Sequence, residues 1–167
     1  MLGALISGIR PELPLLAAVF TLLVLLRFPM PGRGPGAQRR DAWRSFKGEA
    51  RRMVFARAGG RCEATELLAW GRCRAPAVEV DHVYPWSKGG ATVVSNGQAL
   101  CHHHNRAKAG LTPAWWYIAS LERRRRRYFP AGEDVRVFAK MGEADRALRA
   151  AWLVGSGRGM ARGRRRF

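Results

Sequence analysis

The chain has 167 residues, enough for one domain of ordinary size, and carries 30 Lys plus Arg against 12 Asp plus Glu, a formal net charge of +18. Such a charge attracts polyanions and makes nucleic acid the default partner, although basic residues on a solvated face need no ligand. Three cysteines, all between Cys62 and Cys101 and close to a histidine cluster, are too few and too odd in number for a disulfide scaffold; they fit metal-binding thiols in a reducing, cytoplasmic compartment.

An apolar run extends from Leu13 to Leu26, interrupted only by Pro14 and Thr21. Its fourteen residues fall short of the roughly 20 of a spanning helix. Residues 1–28 read equally as a membrane anchor or as a nonstructural leader from a start codon assigned too far upstream. A signal peptide ranks third, because Arg10-Pro11-Glu12 is a poor basic region and no small-residue cleavage site follows Leu26. If the run inserts, Arg27, Arg33, Arg39 and Arg40 outnumber Arg10 and keep the remainder on the cytoplasmic side.

Residues 29–40 are a linker, dense in proline, glycine and arginine. From Asp41 a helix is expected, with Asp41 as its cap, Trp43, Phe46, Ala50, Met53 and Val54 at helical spacing, and Gly59-Gly60 as its end. Val78-Glu79-Val80 alternates like a half-buried strand and delivers Asp81 and His82. Pro85 and Ser87-Lys88-Gly89-Gly90 demand a sharp loop, Gln98-Ala99-Leu100 can return as a second strand, and Cys101 to Lys108 can form a helix. Trp86 and Lys88 in the loop either touch nucleic acid or pack on the surface.

Thr112-Pro113 predicts another helix start, with Trp115, Ile118 and Ala119 as its apolar face, running into the five arginines Arg123 to Arg127 and ending at Pro130-Ala131-Gly132. Some of those arginines must face solvent, where they can neutralise phosphates. Residues 131–154 read as a helical extension, its helix from Glu143 to Leu153 with Leu148 and Trp152 inward. Residues 155–167 read as a basic tail, disordered without a polyanion.

Asp81-His82, Pro85, Gly89-Gly90, Asn96, Gln98, Leu100-Cys101, His104-Asn105 and Lys108, in that order, resemble the HNH endonuclease family over about fifty residues, as an HNN variant with asparagine where many members have histidine. The resemblance implies an α+β fold with a small ββα-metal core, here spanning residues 41–130 with flanking helices. It further implies hydrolysis of DNA to 5′-phosphate and 3′-hydroxyl ends, with Asp81 and Asn105 as ligands of one Mg²⁺, Mn²⁺ or other divalent ion. Asn96 would stabilise the loop and hold His82 in orientation.

Phosphodiester hydrolysis wants a cation on the leaving and nonbridging oxygens and a base on the attacking water. His82 is the candidate base, since an imidazole titrates near neutral pH. Asp81, its neighbour on the strand, is expected to point away from it. Cys62, Cys73, Cys101 and His104 make a three-thiolate, one-imidazole set suited to structural Zn²⁺, and helical spacing selects His104 as the residue sharing a face with Cys101. Asn105 then lies on the adjoining edge, facing Asp81. Lys88, Arg106 and Lys108 are the candidate phosphate contacts. No glycine loop or dinucleotide fingerprint points to an organic cofactor, and oligomeric state is not legible. The alternative function is a noncatalytic, zinc-stabilised nucleic-acid-binding module.

Overall fold

The computed structural model describes residues 12–28, 34, 40–65 and 71–163, with the side chains of residue 12 and residues 155–163 outside that description. Among the described residues it is an α+β structure of five α-helices and one antiparallel hairpin. Helix α1 spans Glu12–Arg27, α2 Gly48–Arg57, strand β1 Glu79–His82, strand β2 Gly97–Leu100, α3 His102–Lys108, α4 Trp115–Arg125 and α5 Glu143–Gly163. The two strands pair with Glu79 opposite Leu100, Asp81 opposite Gln98 and His82 opposite Gly97, and α3 packs on both. This is the expected strand, loop, strand, helix order.

The hairpin loop is closed by close backbone approach. A Cβ on Gly90 would collide with the Tyr84 carbonyl, so only glycine fits there. Gly97 does the same for packing, since a Cβ would lie 2.5 Å from Val54 Cγ2 of α2. Strand β2 is buried along its whole length, and Gln98 is satisfied there by exchanging hydrogen bonds with the Tyr117 hydroxyl.

Three apolar clusters surround the hairpin. Phe46, Val54, Ala58 and Ala99 join α2 to β2; Val83, Tyr84, Ile118, Leu121, Val137 and Ala139 join the loop to α4 and the following segment; the cysteines pack with Ala64 and Leu100. Val137 and Ala139 thus bring part of residues 131–154 into the same core.

Several expectations change. The helix after Asp41 begins only at Gly48, because the Asp41 carboxylate does not cap it: it accepts from the Trp43 and Thr92 amides and pairs with Arg149. Met53 is exposed, while Gly59 and Gly60 do end the helix, both at positive φ. Helix α4 starts at Trp115, two residues beyond Thr112-Pro113, and Trp115 is 43% exposed; its buried face is Ile118, Leu121, Glu122 and Arg125. Leu148 and Trp152 of α5 are 57% and 47% exposed, and the residue turned inward is Arg149. Helix α5 continues through Gly163, so residues 155–163 of the expected tail are helical, and residues 164–167 lie outside the described residues.

Helix α1 is about 24 Å long at 1.5 Å per residue, against a hydrocarbon core of about 30 Å. Among the described residues no helix is long and apolar enough to cross a membrane. The expected linker lies mostly outside the described residues.

Candidate active site and metal centre

The thiol cluster is built by a short irregular ribbon and the start of α3. Residues Arg61 and Pro76 bridge, as do Thr65 and Arg72, so the chain doubles back with Cys62 across from Ala75 and Cys73 across from Ala64, which makes the two cysteines diagonal neighbours on the ribbon. The Cys62 amide donates to the Ala75 carbonyl (3.0 Å) and the Cys73 amide to that of Ala64 (2.8 Å). Two arginines rivet the ribbon from its side: Arg61 Nε donates to the Cys73 carbonyl at 2.7 Å, and Arg72 Nε to the Cys62 carbonyl at 2.8 Å. Glu63 ties it to β2, its backbone pairing with Ala99 and its buried carboxylate accepting from the Ala99 amide, Arg125 and the Tyr128 hydroxyl.

Cys62, Cys73, Cys101 and His104 present ligand atoms all within 4.8 Å of one another, and all three cysteines are free thiols. His104 Nδ1 lies 3.2 Å from Cys101 Sγ and 3.7 Å from Cys62 Sγ. Tetrahedral zinc with Zn–S of about 2.3 Å and Zn–N of about 2.0–2.1 Å requires an S···N separation of about 3.6 Å, so the four residues fit the ion. Burial, and then the neighbouring Cys101 sulfur, push the Cys62 thiol up to about 11. Buried sulfurs this close cannot share negative charge without a cation among them.

His82 stands at the end of β1, 5% exposed, its ring tilted against Phe46 at 4.7 Å. Its Nε2 lies 2.9 Å from the Thr92 hydroxyl, and that hydroxyl donates to the Trp43 carbonyl. A carbonyl can only accept, so the single hydroxyl proton is committed to it, and Thr92 Oγ1 must accept from His82 Nε2–H. Neutral His82 is therefore the Nε2–H tautomer, with its lone pair on Nδ1. That nitrogen lies 3.8 Å from Asp81 Oδ1, so the Asp81 carboxylate curls toward the ring instead of pointing away along the strand.

Asn96 divides its predicted roles. Its Oδ1 accepts from the Tyr84 amide at 2.9 Å, and its Nδ2 donates to the Tyr84 and Ala91 carbonyls, so it staples the loop. The group bonded to His82 is Thr92, not Asn96. Thr92 is itself held by Asp41, which accepts from its amide at 2.8 Å, and by Arg149, which donates to its carbonyl at 2.8 Å. Nothing in the local pattern around Thr92 marks this role, because its partners Trp43, Asp41 and Arg149 are 49, 51 and 57 residues away.

Glu79 and Asp81 share one face of β1, and α3 lays His102, Asn105 and Lys108 over them. Lys108 Nζ donates to Asp81 Oδ2 at 2.7 Å and to the His82 carbonyl. Asn105 Nδ2 donates to Glu79 Oε2, and His102 Nδ1 lies 2.7 Å from Glu79 Oε1. Burial alone would raise the Asp81 carboxyl, but the Lys108 ammonium, helped by the His82 backbone amide, outweighs it and holds it well below the usual carboxylate range. Glu79 is lowered chiefly by His102.

The contact the structure gives Asn105 is to Glu79, through its amide nitrogen, and the largely covered Lys108 is paired with Asp81. Lys88 and Arg106 are exposed. Trp86 is a packing residue: its indole N–H donates to the Asp41 carbonyl, and Arg40 and Arg44 stack over it. Among the predicted arginine cluster, Arg125 is buried in an ion pair with Glu63 at 2.8 Å, whereas Arg123, Arg126 and Arg127 are exposed. Asp81 and Asn105 offer hard oxygen donors from facing elements, a set whose chemistry fits Mg²⁺ or Mn²⁺.

Residues 60–110 match the family model described as HNH endonuclease, covering both the ribbon and the strand, loop, strand, helix unit. No curated protein and no solved structure matches the chain.

Proposed function

Since residues 60–110 carry an HNH endonuclease family domain, we propose that the protein is a metal-dependent endonuclease that hydrolyses phosphodiester bonds of DNA. The observation that carries this reading is the His82 ring, whose lone pair is assigned to Nδ1 by the Thr92 hydroxyl and set 3.8 Å from the Asp81 carboxylate. A base with a fixed lone pair beside a cation ligand is what in-line attack by water needs.

His82 Nδ1 takes the proton of the attacking water, and Thr92 keeps the resulting imidazolium in place through Nε2–H. Asp81 and Asn105 hold one divalent cation, which when bound supplies charge stabilisation at the leaving and nonbridging oxygens. Asn96 fixes the loop between the strands. Lys88 and Arg106 lie exposed to meet the phosphate backbone, and Lys108 reaches it by leaving Asp81. Zinc at the cysteine cluster holds the ribbon to α3 and takes no part in the chemistry. Free thiols of this kind suit the cytoplasm.

Purified protein should nick or linearise supercoiled plasmid in Mg²⁺ or Mn²⁺ and leave 5′-phosphate ends. His82→Ala should lower the rate about a hundred- to ten-thousand-fold, the usual worth of a general base. Equal rates in the two proteins would remove the assignment of the base. Salt-sensitive DNA binding with no metal-dependent cleavage by either protein would instead identify a noncatalytic binding module.

A further inference from the structure

The position that many HNH proteins fill with histidine is Asn105 here, and an amide poses a problem that imidazole does not. One end of the amide coordinates a cation and the other repels it, while the two ends are nearly the same size. We propose that Glu79 is a positioning residue that sets the Asn105 amide with its nitrogen inward and its oxygen available to the cation. This rests on Asn105 being a ligand, as put forward above.

The chemistry of the contacts fixes the direction. Glu79 accepts from Asn105 through Oε2 and from His102 through Oε1. An ionised carboxylate is acceptor-only, so whatever faces it must present hydrogen, and the Asn105 group facing it is the NH₂ end. The carbonyl oxygen of Asn105 is thereby left as its coordinating atom. The place of Glu79 on β1, two residues before Asp81 on the same face, puts it across from α3, where His102 and Asn105 are one turn apart. Neither Glu79 nor His102 is among the residues through which the sequence resembles the family.

Substitution gives an order that a merely structural or charge role would not. In Glu79→Gln the single side-chain oxygen accepts from His102, and the NH₂ group is left facing Asn105. Asn105 must then turn its oxygen inward and its nitrogen toward the cation. In Glu79→Ala the same charge is lost, but the amide is free to turn either way. Glu79→Gln should therefore bind cation more weakly than Glu79→Ala, although it is the closer replacement in shape.

The measurement is Mn²⁺ affinity of the zinc-loaded, full-length protein, followed by the paramagnetic signal of free Mn²⁺, with zinc content as the check on folding. Expected is a loss of about 10- to 100-fold in Glu79→Gln, the usual range for a partner that orients a metal ligand, and a smaller loss in Glu79→Ala. In an Asn105→Asp background the amide is gone, and the Gln and Ala replacements should bind Mn²⁺ alike. Glu79→Gln binding as tightly as Glu79→Ala, or the same gap persisting with Asn105→Asp, would overturn the inference. Asn105→Ala binding Mn²⁺ like the parent would remove the ligand assignment itself; weakened binding in Asn105→Ala with equal Gln and Ala variants would sink only the role of Glu79.

Discussion

Thr92→Val tests the site at the atom that sets the His82 tautomer. Valine keeps the shape of the side chain and removes only the hydroxyl that accepts from His82 Nε2 and donates to the Trp43 carbonyl. In the resting state the bond to His82 is between neutral groups and is worth about 0.5–1.5 kcal/mol net; once His82 has taken the water proton it is charge-assisted and worth about 1.5–3 kcal/mol. Only the increase, about 1–1.5 kcal/mol, lowers the barrier, which corresponds to a loss of about 5- to 13-fold in the chemical step. The Nδ1–H tautomer, now allowed, adds to the loss without bringing it to that of His82→Ala. Two buried polar groups also lose their partner, so stability falls by about 1–3 kcal/mol for each. The assay is single-turnover plasmid cleavage at saturating Mg²⁺, well below the melting temperature, with Thr92→Ser, which retains the hydroxyl, expected to stay near the parental rate. If Thr92→Val cleaves at the parental rate while His82→Ala is silent, the lone pair is not set by Thr92 and the tautomer argument is wrong.

Zinc quantification should find about one ion per chain, lost in Cys73→Ser together with a marked fall in melting temperature, because the four ligands join the ribbon to α3; a zinc-free variant of unchanged stability would refute the structural role. Asp41 is held below the usual carboxylate range: burial acts to raise it, and Arg149 with the Trp43 and Thr92 amides outweighs burial. Its unfolded form binds a proton before its folded form does, so its contribution to stability is present above about pH 3.9 and is lost as pH falls through the depressed folded value. Urea midpoints measured from pH 6 to pH 3 should fall more steeply for the parent than for Asp41→Asn, whereas parallel slopes would show that Asp41 titrates alike in both states; zinc release in acid acts on both proteins and cancels in the comparison.

What the sequence made legible is what short spacing determines. Asp81 and His82 sit at the end of a strand, the paired glycines mark the tight loop, and Cys101 and His104 share a face because a helix brings residues three apart together. The pattern fails where a charged side chain is used as a core staple. Arg125 stands within five consecutive arginines that suggest a solvated or phosphate-binding face, yet it is buried against Glu63, 62 residues earlier. Leu148 and Trp152 were the apolar candidates for the inner face of α5, and Arg149 holds that place because Asp41 waits for it 108 residues away. Asp41 itself reads as a helix cap until long-range donors claim its carboxylate. Long-range pairing of charged groups leaves no periodic trace, so the count of 30 Lys plus Arg overstates how many basic groups face a polyanion, although each buried pair leaves the net charge unchanged.

Those staples bear on where the functional unit ends. The family match stops at residue 110, but the His82 tautomer depends on Thr92, and Thr92 is held by Asp41 on one side of the matched segment and Arg149 on the other. The Thr92 hydroxyl needs the Trp43 carbonyl for its proton, and Trp43 is fixed by the hydrogen bond its backbone N–H donates to the Asp41 carboxylate and by the Arg149 guanidinium over its ring at 3.5 Å. Removing residues before 45 or after 140 would leave the proposed metal ligands in the chain and free the Thr92 hydroxyl that bonds His82, the proposed base. A buried pair such as Asp41 and Arg149 stabilises a fold weakly compared with apolar packing of the same volume, so its value here lies in specificity: it locks two distant segments in the one register that directs Thr92 at His82. The network that holds Thr92 against His82 therefore extends from Asp41 to Arg149, well beyond the matched segment.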